Sequence, residues 1–300
     1  MTRIIEVPAH LDDRSFEQFA AGFGAWPPED KLLFDARGAQ WASPYGLIGM
    51  LTAGQALAEA RRDRPLFAVP ASTEVKSYWS RIGFFRHAAD FFELHGKVPK
   101  STASGPSDAL LDVTPVRAME DVHEAVNRIS ETAVRILRAE LGLERAVTGR
   151  FSMALSEVCQ NIVEHAGTGG WVAAQTYTFR RRLGRRVAVI AVSDAGIGFR
   201  RSLESTHAKR FGERWGDGAA LEAALIQNVS RFRDPGRGQG FRQIKPFLDK
   251  WDGKISIRSG TARLSIVPAW DEDVPLSEHL PFFPGAQVQI TIPAAEAEPR

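Results

Sequence analysis

Two α/β domains in tandem are the fold this sequence predicts, on three observations. The chain has 300 residues, more than one modest domain holds. Its first third alternates short apolar runs with stretches of helical spacing, the pattern of a layered strand-and-helix module. Between Lys97 and Pro115 the composition turns to Lys, Ser, Thr, Gly and Pro, as expected of a linker or surface loop. The division that follows is a first domain over residues 1–97, a linker over 98–115 and a second domain over 116–300.

Taken in order, Ile4–Val7 is a β-branched run and Asp12–Phe23 has helical spacing. Lys31–Asp35 reads as a buried strand, Gly46–Arg62 as a long amphipathic helix, Leu66–Val69 as another buried strand and Thr73–Ile82 as a helix. In the second domain a helical stripe runs through Met119, Val122, Val126, Ile129, Ala133, Ile136 and Leu137, closed by Gly142. Phe151–His165 is the next helix, ended by Gly167 and the Gly169-Gly170 pair. Trp171–Phe179 and Arg186–Val192 read as an antiparallel hairpin. Phe199–Pro235 is of mixed character around one helical stretch, Ala219–Val229, and a connection that long points to function or mobility. Phe241–Trp251 is helical, Ile255–Arg258 and Ala262–Val267 form a hairpin across Ser259-Gly260, and Gln287–Ile292 is a last strand.

Bulk properties exclude several classes. A net charge of +2 argues against a dedicated polyanion binder. The basic turn Arg180–Arg186 reads as solvated charge at a hairpin tip, without the interleaved aromatics that would stack on nucleic-acid bases. The single cysteine, Cys159, cannot form an internal disulfide; it suits a reducing compartment and reads as a small buried hydrophobe. No apolar stretch approaches membrane-spanning length, and the start lacks the apolar core of a signal peptide, so a cytoplasmic protein without a membrane partner is expected.

Three segments carry chemistry. Glu157, Asn161 and His165 are four residues apart on the second helix, each offset by about 40° around the axis, so they form one shallow polar stripe. Leu155, Val158 and Ile162 lie on the neighbouring stripe and can pack on a sheet, which puts the polar stripe at the border of the core. An unpaired carboxylate there is costly. A bound cation with polyphosphate gives the stripe a purpose, because Mg²⁺ takes oxygen ligands such as the Asn161 amide. Asp194 ends the run VAVIAVSD and emerges at the rim of a sheet, where a carboxylate can accept from an exocyclic amine. Gly196 and Gly198 permit positive φ and close backbone approach. Gly236, Gly238 and Gly240 precede a helix, so their N–H groups can cradle phosphate with help from the helix dipole. In that order, helix, strand end and helix start, the segments make a nucleotide site. Arg231, Arg233 and Arg237 flank the third.

Met153–Ala166, Asp194–Gly198 and Gly236–Phe241 resemble the three boxes of the Bergerat-fold (GHKL) ATPases, over about Val116–Pro293. ALSEVCQNIVEHA is most similar to the anti-sigma-factor serine kinase branch, with Glu-x-x-x-Asn-x-x-x-His-Ala, and PFFPGAQVQITIP looks like that family's closing edge. The resemblance implies an α/β sandwich on a mixed sheet, with ATP and Mg²⁺ as cofactors. Asn161 would bind Mg²⁺, Asp194 would contact adenine, and Glu157 would polarise the attacking hydroxyl or water. Gly236–Gly240 would close over the phosphates, with Gln239 where a leucine is usual. His165 takes an auxiliary place in the site.

Residues 1–95 resemble the STAS domain that partners such kinases. There the acceptor serine lies in a turn before a helix; here that turn is Ser43-Pro-Tyr45-Gly-Leu47, with Tyr45 at the acceptor place and Ser43 where Asp is usual. This departure argues against regulatory Ser phosphorylation of the chain. The implied activity is a signalling regulator that phosphorylates or sequesters a protein partner, STAS-like (anti-anti-sigma) or sigma-like, and that branch tends to form homodimers. The rival is a non-catalytic module in which ATP orders a lid and so creates a partner surface. A third reading has the STAS-like part dock on the ATPase domain as an intramolecular regulator. His123-Glu124 faintly resembles a histidine-kinase phosphoacceptor, but the one helix before Phe151 is too few for a phosphotransfer hairpin, so His123 is expected on the surface.

Overall fold

The computed structural model describes residues 2–61, 63–99, 109–117, 120–124, 127–128, 156, 158–160, 168–179, 183–226, 246 and 248–294. Helices are numbered among these. The chain is mixed α/β, with parallel and antiparallel pairings segregated into different sheets.

The N-terminal part runs β1 (Thr2–Glu6), β2 (His10–Leu11), α1 (Phe16–Ala21), β3 (Lys31–Asp35), β4 (Trp41–Ala42), α2 (Pro44–Arg61), β5 (Leu66–Ala68), α3 (Thr73–Arg81), α4 (Phe84–Phe91) and β6 (Glu93–His95). Strands β1-β3-β5-β6 form a parallel sheet, and β2 and β4 pair in parallel beside it. Alternation along the strands buries Ile5, Leu32, Phe34 and Phe67 in one core, while Lys31 is exposed. Helix α3 starts where Ser72 accepts the Val75 N–H, a cap that satisfies one orphan donor.

Helix α2 differs from the expected amphipathic segment, because it is buried on all sides from Pro44 to Leu57. Its glycines make this packing fit. A Cβ at Gly46 would lie 2.5 Å from the Leu11 carbonyl oxygen, at Gly49 2.4 Å from the Phe16 ring, and at Gly54 2.3 Å from the Phe92 ring. The neighbouring elements therefore close directly onto the helix backbone.

The rest of the described chain forms β7 (Ala109–Val116), β8 (Gly170–Thr178), β9 (Arg186–Asp194), α5 (Gly198–Phe211), α6 (Asp217–Leu225), β10 (Lys254–Gly260), β11 (Ala262–Ile266), β12 (Leu276–Ser277) and β13 (Phe283–Pro293). A seven-stranded sheet in the order β12-β11-β10-β13-β9-β8-β7 is antiparallel throughout. Two expectations need correction. Residues 109–115 are not linker but most of edge strand β7, and Gly198–Leu225 is largely helical rather than of mixed character.

Both faces of this sheet are buried. On the front face Val172, Ala174, Ala188, Ile190, Val192, Ile255, Ile257, Val288, Ile290 and Ile292 form one core with Val158, Cys159, Leu221 and Leu225. On the back face Trp171, Ala173, Ala191 and Phe283 belong instead to the core of the N-terminal part. Strand alternation thus divides neighbouring residues between two cores, and α2 is the helix seated against β8, β9 and β13.

Candidate functional site

Asp194 is the last residue of β9, opposite Gly170 of β8 and Ala286 of β13. It shares strand parity with Val192, so its side chain belongs to the front face, where α5 and α6 lie. The carboxylate is buried, and its Oδ1 accepts the Gly196 N–H at 2.9 Å. Burial pushes the carboxyl up to about 7, against the lowering pull of the Gly196 and Ala286 N–H groups. A buried acid poised near neutrality is ready for a donor, since an incoming N–H would favour its charged form.

The turn after Asp194 is shaped by contacts that the sequence did not single out. Gly198 takes φ 72°, and a Cβ there would stand 2.7 Å from Ser259 Oγ. That hydroxyl accepts the Phe199 N–H at 3.0 Å and donates to the Gly285 carbonyl at 3.0 Å, tying the start of α5 to β10 and β13. Gly285 takes φ 69°, and its missing Cβ would meet Asp194 oxygens at 1.9 Å (backbone) and 2.7 Å (Oδ1). A side chain at 285 would displace Asp194. Ser259 shares strand parity with Ile255 and Ile257 and so faces the front, and the β10–β13 register shifts immediately after it, between Ser259 and Gly260. On the same rim Asp217, at the first turn of α6, accepts from the Thr261 N–H at 2.9 Å and from its hydroxyl at 2.8 Å. The signals were present, as Ser259-Gly260 in a hairpin turn and Pro-Gly285 before the last strand. Neither has meaning until β10 and β13 are known to flank Asp194.

Of the sequence-derived site residues, the structure places Asp194, Gly196 and Gly198 in one turn. Glu157, Asn161, His165, Gly236, Gly238 and Gly240 lie outside the described residues. Of the helix expected there, Ser156 and Val158–Gln160 are described and helical, and Val158 and Cys159 pack on the front face. Val158 therefore does what the neighbouring stripe required of it. Cys159 is a packed hydrophobe, its thiol pushed up to about 12 by burial. His123 is exposed.

The geometry fits the adenine half of a nucleotide: a buried carboxylate that makes no ion pair among the described residues, beside a turn where Gly198 and Gly285 leave no room for a Cβ. The Mg²⁺ expectation rests on Asn161; among the described residues no group of three His, Cys, Asp or Glu side chains gathers to hold a metal.

No curated protein matches the chain. The turn at Asp194 lies inside a segment, residues 120–240, that matches the family model described as histidine kinase-like ATPase domain, and the match ends before β10 and β13, which supply Ser259 and Gly285. That match supports a GHKL-type, ATP-binding domain with a regulatory function in this part of the chain.

Proposed function

We propose that the chain binds Mg-ATP with its adenine at Asp194 and uses the nucleotide to control a protein partner, as a signalling regulator that phosphorylates the partner on Ser or Thr or sequesters it. The observation that carries this reading is the buried carboxylate at the rim of β9, near neutrality and beside a turn where Gly198 and Gly285 allow close backbone approach, within the segment similar to an ATPase family. In this reading Asn161 holds Mg²⁺, and the N–H groups of Gly236, Gly238 and Gly240 close over the phosphates. His165 lies beside them, and Glu157 takes the proton of the attacking hydroxyl. ATP supplies the transferable γ-phosphoryl group, and Mg²⁺ neutralises its charge.

The partner is a STAS-like or sigma-like protein, with the chain itself a homodimer. The chain's own Ser43–Leu47 segment, which the structure makes the start of α2 instead of a turn before it, is not the acceptor in this reading, because Ser43 and Tyr45 are buried and the Tyr45 hydroxyl is held well above its ordinary range, chiefly by burial. The test is Glu157→Gln, assayed for phosphate release and for transfer to protein. Turnover is expected to fall by about 10²–10⁴-fold while Mg-ATP binding persists. Unchanged turnover would remove Glu157 from the mechanism. Tight binding with no turnover even in the wild type would replace the kinase with an ATP-gated binding module.

A further inference from the structure

The back face of the seven-stranded sheet is an unusual place to bury charge. Arg258 is fully buried there, between the rings of Phe16 and Phe283, with its guanidinium carbon 5.9 and 5.6 Å from their centroids. Its carboxylate partner is Glu17 of α1: Nε reaches Oε1 at 3.1 Å and Nη2 reaches Oε2 at 2.9 Å. The same guanidinium donates to the carbonyls of Gly260, at 3.1 Å, and Pro281. Arg258 therefore clamps the strand end from which the next residue, Ser259, holds the nucleotide turn. A second contact of this kind lies nearby. Thr52 of α2 shares a buried hydrogen bond of 2.7 Å with Ser193 Oγ, and Ser193 is the residue immediately before Asp194.

These contacts have a common plan. Each starts on the N-terminal module, crosses to the back of the sheet, and ends one residue short of a group that shapes the front. Because alternate residues of a strand face opposite sides, fixing Ser193 and Arg258 from behind fixes the positions of Asp194 and Ser259 in front. Packed interiors transmit such constraints rather than absorbing them. We infer that Thr52 and Glu17 are positioning residues for nucleotide binding, so that the N-terminal module acts on the nucleotide turn through the sheet from its opposite face. The inference rests on the reading of Asp194 as the adenine contact. It assigns the module a part in affinity, beyond covering apolar surface.

The experiment measures Mg-ATP affinity and melting temperature on the full-length chain for Thr52→Val, Glu17→Gln and Ser259→Ala, and for the double variant Glu17→Gln/Ser259→Ala. Thr52→Val keeps the shape of the side chain and serves if Glu17→Gln fails to fold. Weaker binding by about two- to thirtyfold is expected for Thr52→Val and Glu17→Gln. The Glu17 and Ser259 losses should be less than additive, because both act on one turn. Wild-type affinity in Thr52→Val and Glu17→Gln, with only the melting temperature lowered, would overturn the inference and leave the module a structural cover. A wild-type chain that takes no Mg-ATP would overturn the reading of the site as well. That failure is distinct, because it shows before any variant is compared.

Discussion

Asp194 is a buried acid whose charged form is penalised by burial. Its folded-state value of about 7 stands above the ordinary 3.8, so the folded chain holds this proton where the unfolded chain has lost it. The group therefore favours folding fully below about pH 4, and that contribution is lost as pH rises through about 7. The loss is on the order of 4 kcal/mol at most. Asp194→Asn keeps an oxygen for the Gly196 N–H and removes the titration. The melting temperature of the nucleotide-free variant is expected to decline less between pH 5 and pH 8 than that of the wild type, ending several degrees above it at pH 8. Parallel melting curves for the two would show that Asp194 is not held near neutrality. Binding has the opposite sense: the ionised carboxylate is a stronger acceptor for an amine than the carboxylic acid, so wild-type ATP affinity is expected to fall as pH drops below about 7.

At the scale of elements, α2 shows how far sequence reading reached. Strands Lys31–Asp35 and Arg186–Asp194 were legible because apolar runs of their length, bounded by turn residues, have few alternatives. Helix α2 was legible as a helix but not as a helix buried all round, because Gly46, Gly49 and Gly54 register only as weak helix formers until their neighbours are known. Gly49→Ala tests this packing. A methyl group 2.4 Å from the Phe16 ring must push a buried side chain aside, at a cost of about 1–3 kcal/mol by denaturant unfolding, although alanine is the better helix former. A stabilised variant would mean that α2 has room around it. Strand β7 was hidden for another reason: Ala109–Val116 contains Pro115 and follows a polar run, and only pairing with β8 makes it a strand. The same holds at the site, where Asp194 could be named from its strand end but Ser259 and Gly285 could not.

Across the whole molecule, the seven-stranded sheet is shared between two cores, with the N-terminal part packed on its back face. That contact is polar as well as apolar. Gln55 accepts from the Trp171 indole at 2.9 Å, Tyr78 donates to Gln175 at 2.6 Å, and buried Lys254 lies within 3.4 Å of Asp13, 3.3 Å of Asp271 and 2.9 Å of Asp273. Burial would raise Asp271 and Asp273, but Lys254 and its arginine neighbours hold both below the ordinary carboxylate value. Their contribution to stability is thus present above about pH 4 and lost as pH falls further, the opposite limb to that of Asp194. No helix among the described residues is long and apolar enough to cross a membrane. The central claim is that this assembly grips one ATP by its adenine at Asp194. Calorimetric titration of Mg-ATP into the full-length wild type and Asp194→Asn tests it most directly. One site per chain is expected in the wild type, with affinity lowered in the variant by roughly 10- to 150-fold, the worth of a hydrogen bond to a charged group. Equal affinity in the two proteins would contradict it.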